Sequence, residues 1–80
     1  MAVRHVMLKY PEGLIKEPLL FRMAKQFDVI PNIRRARVTE TVGEVALELH
    51  GDPENVEAGL RFLRDAGVLI EPIEGDLPQT

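Results

Sequence analysis

Two imidazoles, a cluster of three guanidinium groups and one asparagine are the side chains of this 80-residue chain with most to offer chemically. His5 and His50 are its only histidines, and a pair of them opens a metal-ligand or general-base reading. A metal site asks for three or four converging ligands, whereas two imidazoles on a sheet face are more often solvated or packed. Neither a metal nor a cofactor is expected. Arg34, Arg35 and Arg37 can hold a carboxylate by paired hydrogen bonds, or they can blunt an edge strand against aggregation. Asn32 follows Pro31 and precedes an extended segment, where its amide can hold a turn. No Ser-His-Asp arrangement or glycine-rich phosphate loop is present, since Gly13 and Gly43 stand alone. With no cysteine, disulfides, thiolate metal sites, iron-sulfur clusters and thiol nucleophiles are excluded together. A non-enzymatic role is expected.

The elements that must position these groups follow from hydrophobic periodicity. Residues 3–10 alternate, with Val6, Leu8 and Tyr10 on one face and Val3, His5, Met7 and Lys9 on the other, as in a strand. Pro11-Glu12-Gly13 ends it. Pro18 suits a first helical turn, and Leu20, Met23, Ala24 and Phe27 follow at helical spacing, predicting a helix over 18–27. A second extended segment carries Ile33, Ala36 and Val38, and its parity slips near Arg34 and Arg35, which calls for a bulge. After the connection Thr41-Val42-Gly43-Glu44, residues 45–50 alternate cleanly, completing a hairpin. Asp52-Pro53 opens a second helix whose buried stripe is Val56, Gly59, Leu60 and Leu63, and Gly67 supplies its left-handed stop. Residues 68–73 form a last strand, and Pro72 places that strand at a sheet edge.

The order β-α-β-β-α-β over one antiparallel sheet predicts an α+β, ferredoxin-like sandwich with strand order 4-1-3-2 and two helices on one face. The expected core is Val6, Leu8, Leu20, Met23, Phe27, Val45, Leu47, Leu49, Val56, Leu60 and Leu63. The other face, carrying His5, Met7, Lys9, Ala46, Glu48, Leu69 and Glu71, must meet water or a partner. One domain over residues 1–74 and a loose tail over 75–80 account for the whole length. An RNA-binding sheet would need strand aromatics, and only Tyr10 qualifies, pointing with the core. Acylphosphatase-like chemistry would need an arginine loop after the first strand, where Glu12 stands instead.

Hydrophobic residues make up 45% and charged residues 29%, the balance of a soluble folded domain. The net charge of −3 disfavours nucleic acid. No apolar run nears the roughly 20 residues of a membrane span, and the N-terminus lacks the shape of a signal peptide. A cytoplasmic location without membrane insertion is expected. A domain this small hides only about 60% of the surface of its unfolded chain, which favours self-association.

The run Phe27-Asp28-Val29-Ile30-Pro31-Asn32-Ile33-Arg34-Arg35-Ala36-Arg37-Val38 resembles the signature of the NIL domain, named for an Asn-Ile-Leu tripeptide at this position. The likeness extends over a first strand ending in an aromatic and Pro11, the helix opening at Pro18, Leu47-Glu48-Leu49-His50-Gly51-Asp52-Pro53, and Leu63-Arg64-Asp65-Ala66-Gly67-Val68. It implies an ACT-like regulatory domain, as at the C-terminus of methionine-import ABC transporter ATPases, that forms a homodimer and binds methionine. Other members accompany iron-sulfur ferredoxin modules or proteins of sulfur amino-acid metabolism. Here the tripeptide reads Asn32-Ile33-Arg34, a cation replacing an apolar lining residue, and the hairpin between Val38 and Val45 is shorter than the family's. With neither an ATPase nor a cysteine cluster, a free-standing module is expected. The resemblance implies a small-molecule sensor, for methionine or a related sulfur amino acid, with Asn32, Ile33 and Arg34 at its ligand site. The alternative is an interaction or assembly module for a sulfur amino-acid metabolism enzyme, with a vestigial site; the expected protein partner is such an enzyme or a transporter.

Overall fold

A computed structural model describes residues 2–73. The expected tail over 75–80 lies outside the described residues. The chain runs β1 (Ala2–Tyr10), α1 (Leu19–Phe27), β2 (Ile30–Val38), β3 (Gly43–Gly51), α2 (Pro53–Ala66) and β4 (Leu69–Pro72), with a 3₁₀ turn at Glu12–Leu14. The four strands form one antiparallel sheet in the order β2-β3-β1-β4, which is the expected order read from its other edge. Pro72 lies on the edge strand β4 opposite Val6, where a missing N–H leaves no inner ladder broken.

Two left-handed residues end the helices. At Gly67, φ is 109°, and the amides of Gly67 and Val68 return to the carbonyls of Arg64 and Leu63, both at 3.0 Å. This double closure is a Schellman motif, sealed by Leu63 against Val68, both fully buried. Asp28 closes α1 with φ 55° and ψ 50°, a conformation that costs a non-glycine residue some strain. Asp52 stands at the N-cap of α2, but its side chain makes no capping bond; its carbonyl instead accepts from Val56 N at 2.9 Å.

The core joins Val6, Leu8, Met23, Val45, Leu47, Leu49, Val56, Leu60 and Leu63, as expected. It adds Leu19, Val29 and Val68, while Leu20 and Phe27 are only partly buried at its margin. The change comes from Pro18 lying just outside α1, so that Leu19 and Met23, four apart, carry the buried stripe. Phe27 settles against Phe62 of α2 with ring centroids 5.7 Å apart.

A bulge lies between Ile33 and Arg35 in β2, where the parity slip required one. Its effect on the sheet surface is large. Asn32 pairs with Glu48 and Ile33 with Leu47; beyond the bulge Arg35 pairs with Ala46 and Arg37 with Glu44. The extra residue therefore turns Arg35 and Arg37 to the face away from the helices, and Ala36 and Val38 to the helix side.

Candidate functional site on the open sheet face

The face left uncovered by the helices is built from alternate residues of all four strands, and its centre is a carboxylate. Glu48 projects there because β3 alternates Leu47 and Leu49 into the core. The register sets His5 of β1 and Asn32 of β2 directly opposite it on either side, and His50 follows two residues along the same strand. Asn32 Nδ2 donates to Glu48 Oε1 at 3.3 Å, and His50 Nε2 lies 3.1 Å from the same oxygen. Since an ionised carboxylate only accepts, that imidazole nitrogen carries the proton. Glu48 Oε2 has looser company, His5 Nε2 at 3.5 Å and Arg34 Nε at 3.8 Å. The latter is too long for a hydrogen bond, so Oε2 keeps capacity to accept.

The His50 hydrogen bond holds the Glu48 carboxyl below its ordinary range, with partial burial opposing the shift and Asn32, Arg34 and His5 reinforcing it. Glu48 therefore stands ionised at neutral pH, only 16% of its side chain exposed, ringed by donors. Such a group can receive an ammonium. Among the described residues, no set of three or more His, Asp or Glu side chains is placed to hold a metal ion.

Next to Glu48 the sheet floor drops. Ala46 is a small residue between larger cross-strand partners, Met7 and Arg35, and over it lies a hollow of 250 Å³ lined by Met7, Arg35, Arg37, Glu44 and Ala46. At the far edge Lys9 Nζ meets Glu71 at 2.6 Å. A second hollow, of 190 Å³, lies on the other side of the sheet between Tyr10, Pro18, Leu20, Phe21, Val38 and Val45, and its lining is mainly apolar.

Of the residues singled out in the sequence, Asn32 and Arg34 come together at Glu48 with both histidines. Ile33 does not join them: it shares the helix-side face with Leu47 and remains 53% exposed at the sheet edge. The residue that sequence reasoning gave no role is Glu48 itself. Its alternation placed it on the open face, but the cross-strand register that sets His5 and Asn32 on either side of it is not written in any one segment.

A twisted four-stranded sheet with two helices on one face and a polar cluster on the other defines a ferredoxin-like α+β module. The sequence model of the NIL domain matches residues 4–72, and the chain belongs to the NIL domain family. It is 32% identical over 59 residues to a methionine import ATP-binding protein MetN 1 from Bacillus cereus, covering 69% of this chain and 17% of that protein. With MetN 1 of Listeria innocua the identity is 29% over 62 residues, covering 72% of this chain and 18% of the relative. The chain thus spans under a fifth of the length of these relatives. In structure it is similar to the C-terminal domain of an ABC transporter ATP-binding protein from Enterococcus faecalis. The TM-score is 0.80 and the identity 23%, with 91% of this chain and 86% of the other covered. That likeness establishes the shared fold.

Proposed function

We propose that this chain is a regulatory sensor that binds a free amino acid on the open face of its sheet and performs no chemistry on it. The observation that carries the reading is the partly buried Glu48 carboxylate, with one oxygen engaged by Asn32 and His50 and the other held only loosely by His5 and Arg34. An amino acid presents an ammonium and a carboxylate side by side, and Glu48 and the adjacent Arg34 offer an acceptor and a cation in matching proximity. Relatives named as methionine importers make methionine the first ligand to try. A cytoplasmic setting, a homodimer paired through the sheet and control of a transporter belong to the same proposal.

Isothermal titration with L-methionine and related amino acids tests it. Saturable heat is expected, weakened about tenfold or more by Asn32→Ala or Glu48→Gln, each of which removes one polar contact. Heat from none of the amino acids, or affinity indifferent to both substitutions, would contradict it.

A second reading draws on Ile30, Ile33 and Val38, large apolar side chains exposed along the edge strand β2. A protein partner could cover them, making the domain an assembly module for a transporter or a sulfur-metabolism enzyme. Silence in the titration together with one co-purifying enzyme would favour this reading.

A further inference from the structure

The hollow over Ala46 adjoins Glu48 on the open face but has a different character. Two guanidinium groups, from Arg35 and Arg37, line it, and among the described residues neither is in an ion pair, whereas Arg34 already leans on Glu48. Their presence there is a direct product of the bulge: with a regular β2 they would turn to the helix side, and Ala36 and Val38 would take their places. The floor, Ala46 and Met7, is apolar and low enough to admit an alkyl chain.

The geometry points to a ligand class. We propose that the site takes an amino acid whose side chain ends in a second acid group. Glu48 receives its ammonium and Arg34 its α-carboxylate, while Arg35 and Arg37 clamp the distal acid above Ala46. The inference rests on the amino-acid reading given above and adds a distal group to it. Neighbouring residues on one face of a strand are about 7 Å apart, so Ala46 and Glu48 fix the separation between the two ends of the site. A short tether of methylenes spans it, lying on Ala46 and Met7.

Charge balance argues the same way. Glu44, opposite Arg37 in the register, is the one acid in the lining and also acts on the Lys9 ammonium, which Glu71 holds. Counting the carboxylates Glu44 and Glu48 against the guanidinium groups of Arg34, Arg35 and Arg37, the site has one cation in excess. A zwitterion with an uncharged side chain leaves that excess standing; an amino acid with a second acid cancels it. Two guanidinium groups over an apolar floor are also suited to bidentate contact with a planar carboxylate.

The probes are L-glutamate, L-glutamine and L-methionine, titrated calorimetrically into the wild type and into the Arg35→Gln/Arg37→Gln variant. Glutamine matches glutamate in shape and lacks only the charge. Glutamate should bind about tenfold or more tightly than glutamine to the wild type, as charge-assisted bonds exceed neutral ones. The double variant should lose that preference and bind glutamate and glutamine about equally. Glutamine or methionine bound as tightly as glutamate by the wild type would overturn the inference and leave the sensor reading standing. Preference for glutamate that survives in a folded double variant would also overturn it. Should the double variant unfold, Arg37→Gln alone replaces it, and the wild-type selectivity decides in any case. Absence of heat from all three probes would remove both readings at once.

Discussion

Glu48 is the residue on which the site turns, and its ionisation links binding to stability. Its carboxyl titrates below the ordinary value of 4.5 because His50, and then Asn32, Arg34 and His5, favour the charged form. A carboxyl depressed by folding stabilises the native state above its unfolded pKa and loses that contribution as pH falls through the lower, folded value. Thermal unfolding between pH 7 and about pH 3 should therefore show a steeper loss in the wild type than in Glu48→Gln. Equal slopes would mean that the ring of donors has no net effect. Asp28 carries a separate residue-scale prediction. Its φ of 55° is one that glycine adopts without a Cβ penalty, so Asp28→Gly should raise the urea midpoint by the equivalent of about 0.5 kcal/mol. A lowered midpoint would show that the aspartate side chain makes a stabilising contact there.

At the scale of elements, α1 and α2 are held close by an absent side chain. A Cβ on Gly59 would lie 2.6 Å from Met23 Sδ and 3.0 Å from Met23 Cγ, and Met23 is fully buried, so its thioether would have to shift within the core. An alanine in mid-helix normally gains about 1 kcal/mol over glycine. Here overpacking should outweigh that gain, and Gly59→Ala should destabilise by about 1 kcal/mol or more in a urea titration. A more stable variant would show that the helices can part freely. Most of this architecture was legible in the sequence because each element carries its own local signal: alternation in β1 and β3, Asp52-Pro53 and Gly67 around α2, Pro72 for the edge. The bulge in β2 was legible for the same reason, since a parity slip between Ile33 and Ala36 is a property of one segment. The rotation of α1 was not, because whether Pro18 lies inside or just before the helix decides between Leu19 and Leu20, and proline tolerates both positions. The Glu48 cluster was hidden for a stronger reason: His5, Asn32 and Glu48 meet only through the register of three strands, which depends on how the whole sheet pairs.

For the whole molecule, the open face must reconcile a polar centre with apolar ends. Val3 and Leu69 stand exposed on it, beside Met7, and Ile30 flanks it on β2. Pairing two copies through this face would cover those residues and close the ligand site from above. Light scattering at high micromolar concentration should report a dimer, with an interface above about 1,000 Å² in total. A monomer there would mean that the face is free for another partner. Binding of an amino acid over Glu48 on this face is tested most directly by following backbone amide resonances during titration with L-methionine and L-glutamate. Saturable shifts should concentrate at Asn32, Arg34, Ala46, Glu48 and His50, with the apolar hollow at Tyr10, Phe21 and Val38 unmoved. Shifts centred on that hollow, or none at saturating ligand, would contradict a site over Glu48.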